Sequence, residues 1–231
     1  MRFIRLVGLV LVAVVAMSFA VVSSASAAFS SNPLFIPANG QQVRSVGLGN
    51  ATLVAAGNKI VCTAHQTVSG TVSNSLLIGN VVIHYLGCTA AETLAGKEKE
   101  CPVKSVGSPA EGLILTTTLH GILGLLLPSN ETGILFLPVA NKVFVTFARS
   151  EKGGKECTAE TAVEGSVAAL ISPSGVPAQL TGKLTTLAIA KAAIDLTHGL
   201  GPATAKLTAF GETGTQEQTD DVTFGEATEV T

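Results

Sequence analysis

Residues 79–88 read Gly79-Asn80-Val81-Val82-Ile83-His84-Tyr85-Leu86-Gly87-Cys88. Glycines bracket an apolar run that closes on a cysteine. Its β-branched and aromatic side chains suit a pleated, packed strand. Val81–Leu86 is apolar on both faces apart from His84, the pattern of a central strand covered on two sides. Segments with β patterning lie before and after it, so the run predicts an all-β chain with this strand at its centre.

Upstream, Ala51–Ala56 and Lys59–Ala64 flank Gly57-Asn58, a two-residue hairpin signal. Thr67–Ser73 then alternates Val68, Gly70 and Val72 with threonine and serine. Downstream, Cys88–Glu111 is the longest polar insertion, and its Lys97-Glu98-Lys99-Glu100 run reads as a solvated loop or a short helical turn. Gly112–Leu127 returns to strand character, and Pro128–Gly133 is a turn. Ile134–Val139 and Val143–Ala148 predict a hairpin across Ala140-Asn141-Lys142, with Pro138 marking an edge strand. Ala162–Ser172 and Gln179–Ala188 predict strands, Ile189–His198 fits helix or strand, and Ala203–Phe210 and Asp221–Val230 predict a closing strand pair. With turn signals at intervals of roughly 8–12 residues, the fold expected is a single antiparallel β-sandwich or barrel of about ten to twelve short strands.

One pattern recurs without a fixed period: apolar, any residue, glycine, any residue, apolar. It appears as Val68/Gly70/Val72, Leu119/Gly121/Leu123, Val163/Gly165/Val167 and Leu180/Gly182/Leu184. Period-two geometry puts each glycine on the face of its apolar neighbours. There it serves tight curvature, or it lines a ligand cavity. The irregular spacing argues against a solenoid or propeller.

The N-terminus has the parts of an export signal. Arg2 and Arg5 precede the apolar stretch Leu6–Val22, and Ala25-Ser26-Ala27 supplies a small-x-small cleavage site. A retained membrane anchor is the competing reading of that stretch. The organisation expected is a signal peptide over 1–27, an extended segment over 28–50, in which Pro33–Pro37 packs an apolar patch onto the domain, and an all-β domain over 51–231. This predicts a secreted protein, extracellular or at the cell surface, with no integral membrane segment after cleavage.

Four cysteines, Cys62, Cys88, Cys101 and Cys157, read as two disulfides in an exported chain. Three pairings are open; Cys88–Cys101 and Cys62–Cys157 are favoured, one closing a polar loop and the other tying an early strand to a late one. A zinc site is disfavoured, because no C-x-x-C pair occurs and the four histidines lack ligand spacing. The net charge of −2 with no basic cluster argues against a nucleic-acid partner.

No Gly-x-Ser-x-Gly string occurs, and Gly47-Leu48-Gly49 lacks the third glycine of a phosphate-cradling loop. His84 and His120 read as structural residues. Asp220-Asp221 could offer oxygens to calcium, but no Asp-x-Asp loop supports this and a solvated terminal hairpin is the reading preferred. Asn50-Ala51-Thr52 and Asn130-Glu131-Thr132 match the glycosylation sequon. No catalytic residue, metal or cofactor is expected, and no ligand-binding residue is named.

The string Ile78 to Cys88 has the form apolar-Gly-Asn-Val-x-apolar-x-aromatic-x-Gly-Cys. Ile60-Val61-Cys62 precedes it; Cys101, Glu111–Thr116, Leu119–Gly124, Cys157 and Val163–Val167 follow. Together these resemble a group of exported actinobacterial all-β proteins of unassigned function. Tyr85 stands where the group's pattern has phenylalanine. The resemblance implies an exported all-β module with disulfide cysteines. The function expected is therefore a non-catalytic module with partners among cell-envelope components. A carrier of a small apolar ligand is the alternative, and a secreted hydrolase comes third.

Overall fold

The computed structural model describes residues 33–36, 40–94, 97–108, 110–149, 161–173, 179–186, 192–196 and 200–230. All of its regular structure is antiparallel sheet. The strands are β1 (Phe35–Ile36), β2 (Val43–Gly47), β3 (Ala51–Ala55), β4 (Asn58–Asn74), β5 (Leu77–Leu94) and β6 (Lys97–Ser105). Next come β7 (Ile114–Leu115), β8 (Leu119–Leu127), β9 (Glu131–Pro138), β10 (Val143–Arg149), β11 (Thr161–Gly165) and β12 (Val167–Ser172). The last six are β13 (Gln179–Thr186), β14 (Ala192–Leu196), β15 (Gly201–Ala205), β16 (Leu207–Ala209), β17 (Glu212–Glu217) and β18 (Thr219–Val230).

The β4–β5 hairpin is the axis. Its strands are 17 and 18 residues long, against 12 or fewer for the others. Along one side, β4 pairs β3 through residues 58–62 and β2 through 66–67. Along the other, β5 pairs β8 through 77–81, β7 through 84–85 and β6 through 89–94. Each half of the hairpin thereby closes a ring. The first circuit runs β4, β5, β8, β9, β12, β13, β18, β2 and back to β4. The second runs β4, β5, β6, β10, β11, β16, β17, β3 and back to β4. A ring of eight strands encloses a space just wide enough for side chains or one small ligand, and a closed ring has no edge to aggregate through.

At the junction, both hairpin strands change which face looks inward. In β5 the buried series Val81, Ile83, Tyr85 steps by three to Cys88 and Ala90; in β4 it steps from Ile60 and Cys62 to His65. A strand alternates faces strictly by two, so a three-residue step needs a backbone irregularity. Gly87 supplies it with φ +61°, against Thr63 on the neighbouring strand.

One apolar core runs through both circuits, from Phe35, Val43 and Phe224 to Phe144, Phe147 and Val163. A smaller one lies on the outer face of β8, β9 and β12, where Leu126, Leu135 and Ala168 are covered by Ile194 and Ala205 of the β14–β15 hairpin. Gly124 makes this overlay possible: a Cβ there would sit 2.6 Å from the Asp195 carbonyl oxygen.

The all-β antiparallel fold with disulfide bonding is as the sequence predicts, but several local expectations are corrected. The described residues hold eighteen strands rather than ten to twelve, and Ser166 divides Ala162–Ser172, which reads as one strand, into β11 and β12. Val81–Leu86 is not covered on two sides: Val81, Ile83 and Tyr85 are buried, Val82 and His84 are half-buried and Leu86 is 38% exposed. Among the described residues of Cys88–Glu111, only those after Ser105 are without strand. Cys88–Leu94 continues β5 and turns back as β6, so the charged run lies in a ladder where Glu98 opposes Thr93. β9 and β10 do not form a hairpin, and β9 is no edge strand. It pairs β8 and β12, and Pro138 is tolerated because it ends the strand. Residues 203–210 do not pair β18; β16 turns into the unforeseen β17, while β18 pairs β1, β2 and β13.

Other expectations hold. Strands β3 and β4 form the predicted hairpin, but it turns one residue earlier than expected, at Ala56-Gly57 with φ +50° and +73°, the left-handed pair that a two-residue turn needs; Asn58 already pairs in β4. Ala192–Leu196 is strand. Phe35, 1% exposed, packs its segment against the core, and β1 and β2 make residues of the 28–50 segment part of the sheet. The signal stretch 1–27 lies outside the described residues.

Candidate functional site

Polar side chains gather where the two circuits meet. β4 brings His65, β5 Tyr85 and β2 Ser45; β17 and β18 bring Gln216, Gln218 and Asp220. Tyr85 donates its hydroxyl to Gln218 Oε1 at 2.9 Å and accepts from Gln216 Nε2 at 2.8 Å. Gln218 Nε2 donates to Asp220 Oδ2 at 2.8 Å, and Ser45 Oγ donates to Asp220 Oδ1 at 2.9 Å. The Gln218 backbone N–H donates to Thr186 Oγ1 at 2.7 Å. His65 Nε2 lies 3.5 Å from Asp220 Oδ1, with both side chains essentially without solvent exposure. Neither imidazole nitrogen has a hydrogen-bond partner among the described residues. The ring stacks on Tyr85 at 6.1 Å, and Gly47 fits because any Cβ there would lie within the imidazole.

Serine, histidine and aspartate are thus neighbours, but in the wrong order for a nucleophile. A catalytic base takes the serine proton while the carboxylate orients the base; here Ser45 donates to the carboxylate itself. The cluster's members are buried apart from the half-buried Gln216. Its chemistry is structural: a buried carboxylate held by two hydrogen-bond donors with an imidazole alongside.

Burial pushes the Tyr85 hydroxyl well above its ordinary value, the Asp220 carboxylate adds to the rise, and the Gln216 hydrogen bond opposes it. Tyr85 therefore contributes stability that is fully present below the unfolded pKa of about 10 and is lost as pH rises from there toward the folded value. A Tyr85→Phe protein should show a shallower loss of stability above about pH 10 than wild type, measured as urea midpoints across alkaline buffers. Equal slopes in the two proteins would contradict this.

The cysteines pair otherwise than expected. Cys62 joins Cys88, directly opposite each other across the β4–β5 ladder beside the junction. This overturns both favoured pairings: Cys88 lies within β5, so its nearest cysteine is across the hairpin rather than along the chain. Cys101 is buried and also disulfide-bonded; Cys157 lies outside the described residues. His84 and His120 are half-buried, opposite Leu115 and Leu137. The solvated-hairpin reading of Asp220-Asp221 holds for exposed Asp221 and fails for Asp220, which is 1% exposed.

None of the junction residues except Asp220 drew attention as a site in the sequence, yet one signal was present. Gln216, Gln218, Asp220, Val222 and Phe224 alternate by two, which places three polar residues in line with the apolar inward face of β18.

Each circuit holds a small apolar cavity, one on either side of the junction. That of the second circuit has about 50 Å³ and is lined by Ile60, Ile114, Phe144 and Phe147, with Tyr85 and Gln216 at its polar end. That of the first has about 40 Å³. Among the described residues no three metal-ligating side chains cluster, and no helix is long and apolar enough to cross a membrane. No family model matches the chain, and no curated protein or solved structure gives a significant match to it.

Proposed function

We propose that the chain is a non-catalytic β-module, exported and working outside the cell or in its envelope. The observation that carries this is the buried junction. The Ser45, His65 and Asp220 side chains are buried, and Ser45 donates to the carboxylate rather than to the imidazole. The disulfide, the signal-like N-terminus and the resemblance of the Gly-Asn-Val…Gly-Cys run support export. Purified protein should turn over no ester, peptide or glycoside substrate above blank. Turnover that a single histidine substitution abolishes would overturn the proposal.

A second reading within this class is favoured by the two apolar cavities: a carrier of a small apolar ligand inside the closed rings. Both volumes are far below the roughly 300–1,000 Å³ of drug-sized sites, so the ligand is small.

A further inference from the structure

The four glycines of the recurring pattern serve two different ends. A Cβ at Gly121 would sit 2.6 Å from Ile134 Cδ1, and one at Gly165, where φ is +108°, would meet the Lys206 carbonyl oxygen. Those two glycines permit close packing. Gly70 is also a close approach, a Cβ there sitting 3.2 Å from the Val43 carbonyl oxygen, and with Gly182 it lines the first-circuit cavity. At Gly182, opposite inward-facing Val222, a Cβ would meet nothing nearer than Ser172 O at 3.7 Å. Among the described residues nothing fills the space before it.

That space is about 40 Å³. A single water needs roughly 10–15 Å³ on the same measure, so the cavity takes about three or four non-hydrogen atoms. Its walls are mostly apolar, including Val43, Ile78, Ile134 and Leu184; Ser45 and Thr67 give it a polar end, and the exposed Lys183 lines it beside Gly182.

Hydrogen-bond bookkeeping fixes what that end can do. Ser45 Oγ has one hydrogen, and Asp220 Oδ1 at 2.9 Å takes it, since a carboxylate only accepts. The 2.9 Å bond between the Ser45 and Thr67 hydroxyls must then use the Thr67 hydrogen. Thr67 Oγ1 is left with lone pairs alone, able to accept from a ligand and not to donate. Behind Ser45 the Asp220 carboxylate repels an anionic head group.

We propose that the first-circuit cavity binds a small neutral aliphatic molecule through one hydroxyl donor, the hydroxyl on Thr67 and the carbon chain in the space before Gly182. This rests on the carrier reading and adds the site and the ligand's chemistry.

The test titrates 1-propanol, with propionate as the anionic comparator, into wild-type, Gly182→Val and Thr67→Val proteins. Binding is followed by ligand-observed NMR, and folding is checked by Tm. Wild type should bind one propanol saturably in the millimolar range and ignore propionate. Gly182→Val should lose binding, and Thr67→Val should weaken it by up to about tenfold. If Gly182→Val does not fold, Gly182→Ala replaces it, its methyl having room. Equal binding of propionate, or propanol binding unchanged by filling at Gly182, overturns the proposal. So does the absence of saturable propanol binding. Native mass spectrometry of protein from its own host separates the two levels. A co-purifying mass that survives Gly182→Val keeps the carrier reading and overturns this site; no co-purifying mass together with no propanol binding removes both.

Discussion

Asp220→Ala is expected to destabilise the protein by about 2–4 kcal/mol, from a buried donor left without its acceptor and the void left by the side chain. Asp220 is 1% exposed and is the acceptor on which Ser45 and Gln218 converge, with His65 beside it. Alanine leaves the buried Gln218 Nε2 without this acceptor, while Ser45 can turn its hydrogen to Thr67 Oγ1, and an unsatisfied buried group costs about 1–3 kcal/mol. It also opens a void between the circuits. For a chain of this size Tm should fall on the order of 10 °C. His65→Ala alone should also be costly, through the void left by a buried ring. The His65→Ala/Asp220→Ala pair should cost less than the sum of the two, since neighbours that share an interaction are not additive. Additive losses in thermal and urea unfolding would show that the two side chains do not act together.

Removing the Cys62–Cys88 bond is the second large effect. The bridge spans a sequence separation of 26 residues, for which the chain-entropy model gives about 3–4 kcal/mol. Cys62 and Cys88 are 5% and 0% exposed, so the Cys62→Ala/Cys88→Ala variant leaves the core apolar and the loss comes chiefly from the freed unfolded chain. Unreduced peptide mapping should recover the two residues in one linked product. A Cys88–Cys101 product would contradict the register of the β4–β5 ladder as well as the bond.

The two cysteines show why some of the fold was legible and some was not. Alternation and turn chemistry are local, so the β3–β4 hairpin and the strand at 79–88 could be read from residues a few positions apart. Pairing partners are not local. The β9–β10 and 203–210/β18 expectations assumed that neighbouring strands pair, and the rings instead send β10 to β6 and β18 to β2. A polar strand defeats composition altogether: Cys88–Glu111 looked like a loop because its hydrogen bonds are backbone ones, indifferent to side-chain polarity. The junction was hidden for a related reason. Its residues come from β2, β4, β5, β17 and β18, and only the Gln216, Gln218, Asp220 alternation left a trace along the chain. The glycine pattern was legible only as alternatives, because whether a glycine admits a neighbour, as at Gly121 and Gly165, or borders space, as at Gly182, depends on what other strands bring to it.

The protein carries its own reporter of the buried junction. It has no tryptophan, and Tyr85 is its single tyrosine, so phenolate absorbance in the near ultraviolet reports that hydroxyl alone. An alkaline titration of the native protein, with circular dichroism recorded at each pH, is the measurement to make. The phenolate band should stay absent well above about pH 10 and rise only together with loss of the β signal. A phenolate band that grows near pH 10 while the sheet stays intact would place Tyr85 in contact with solvent, and the junction would then be open to substrate rather than buried within the fold.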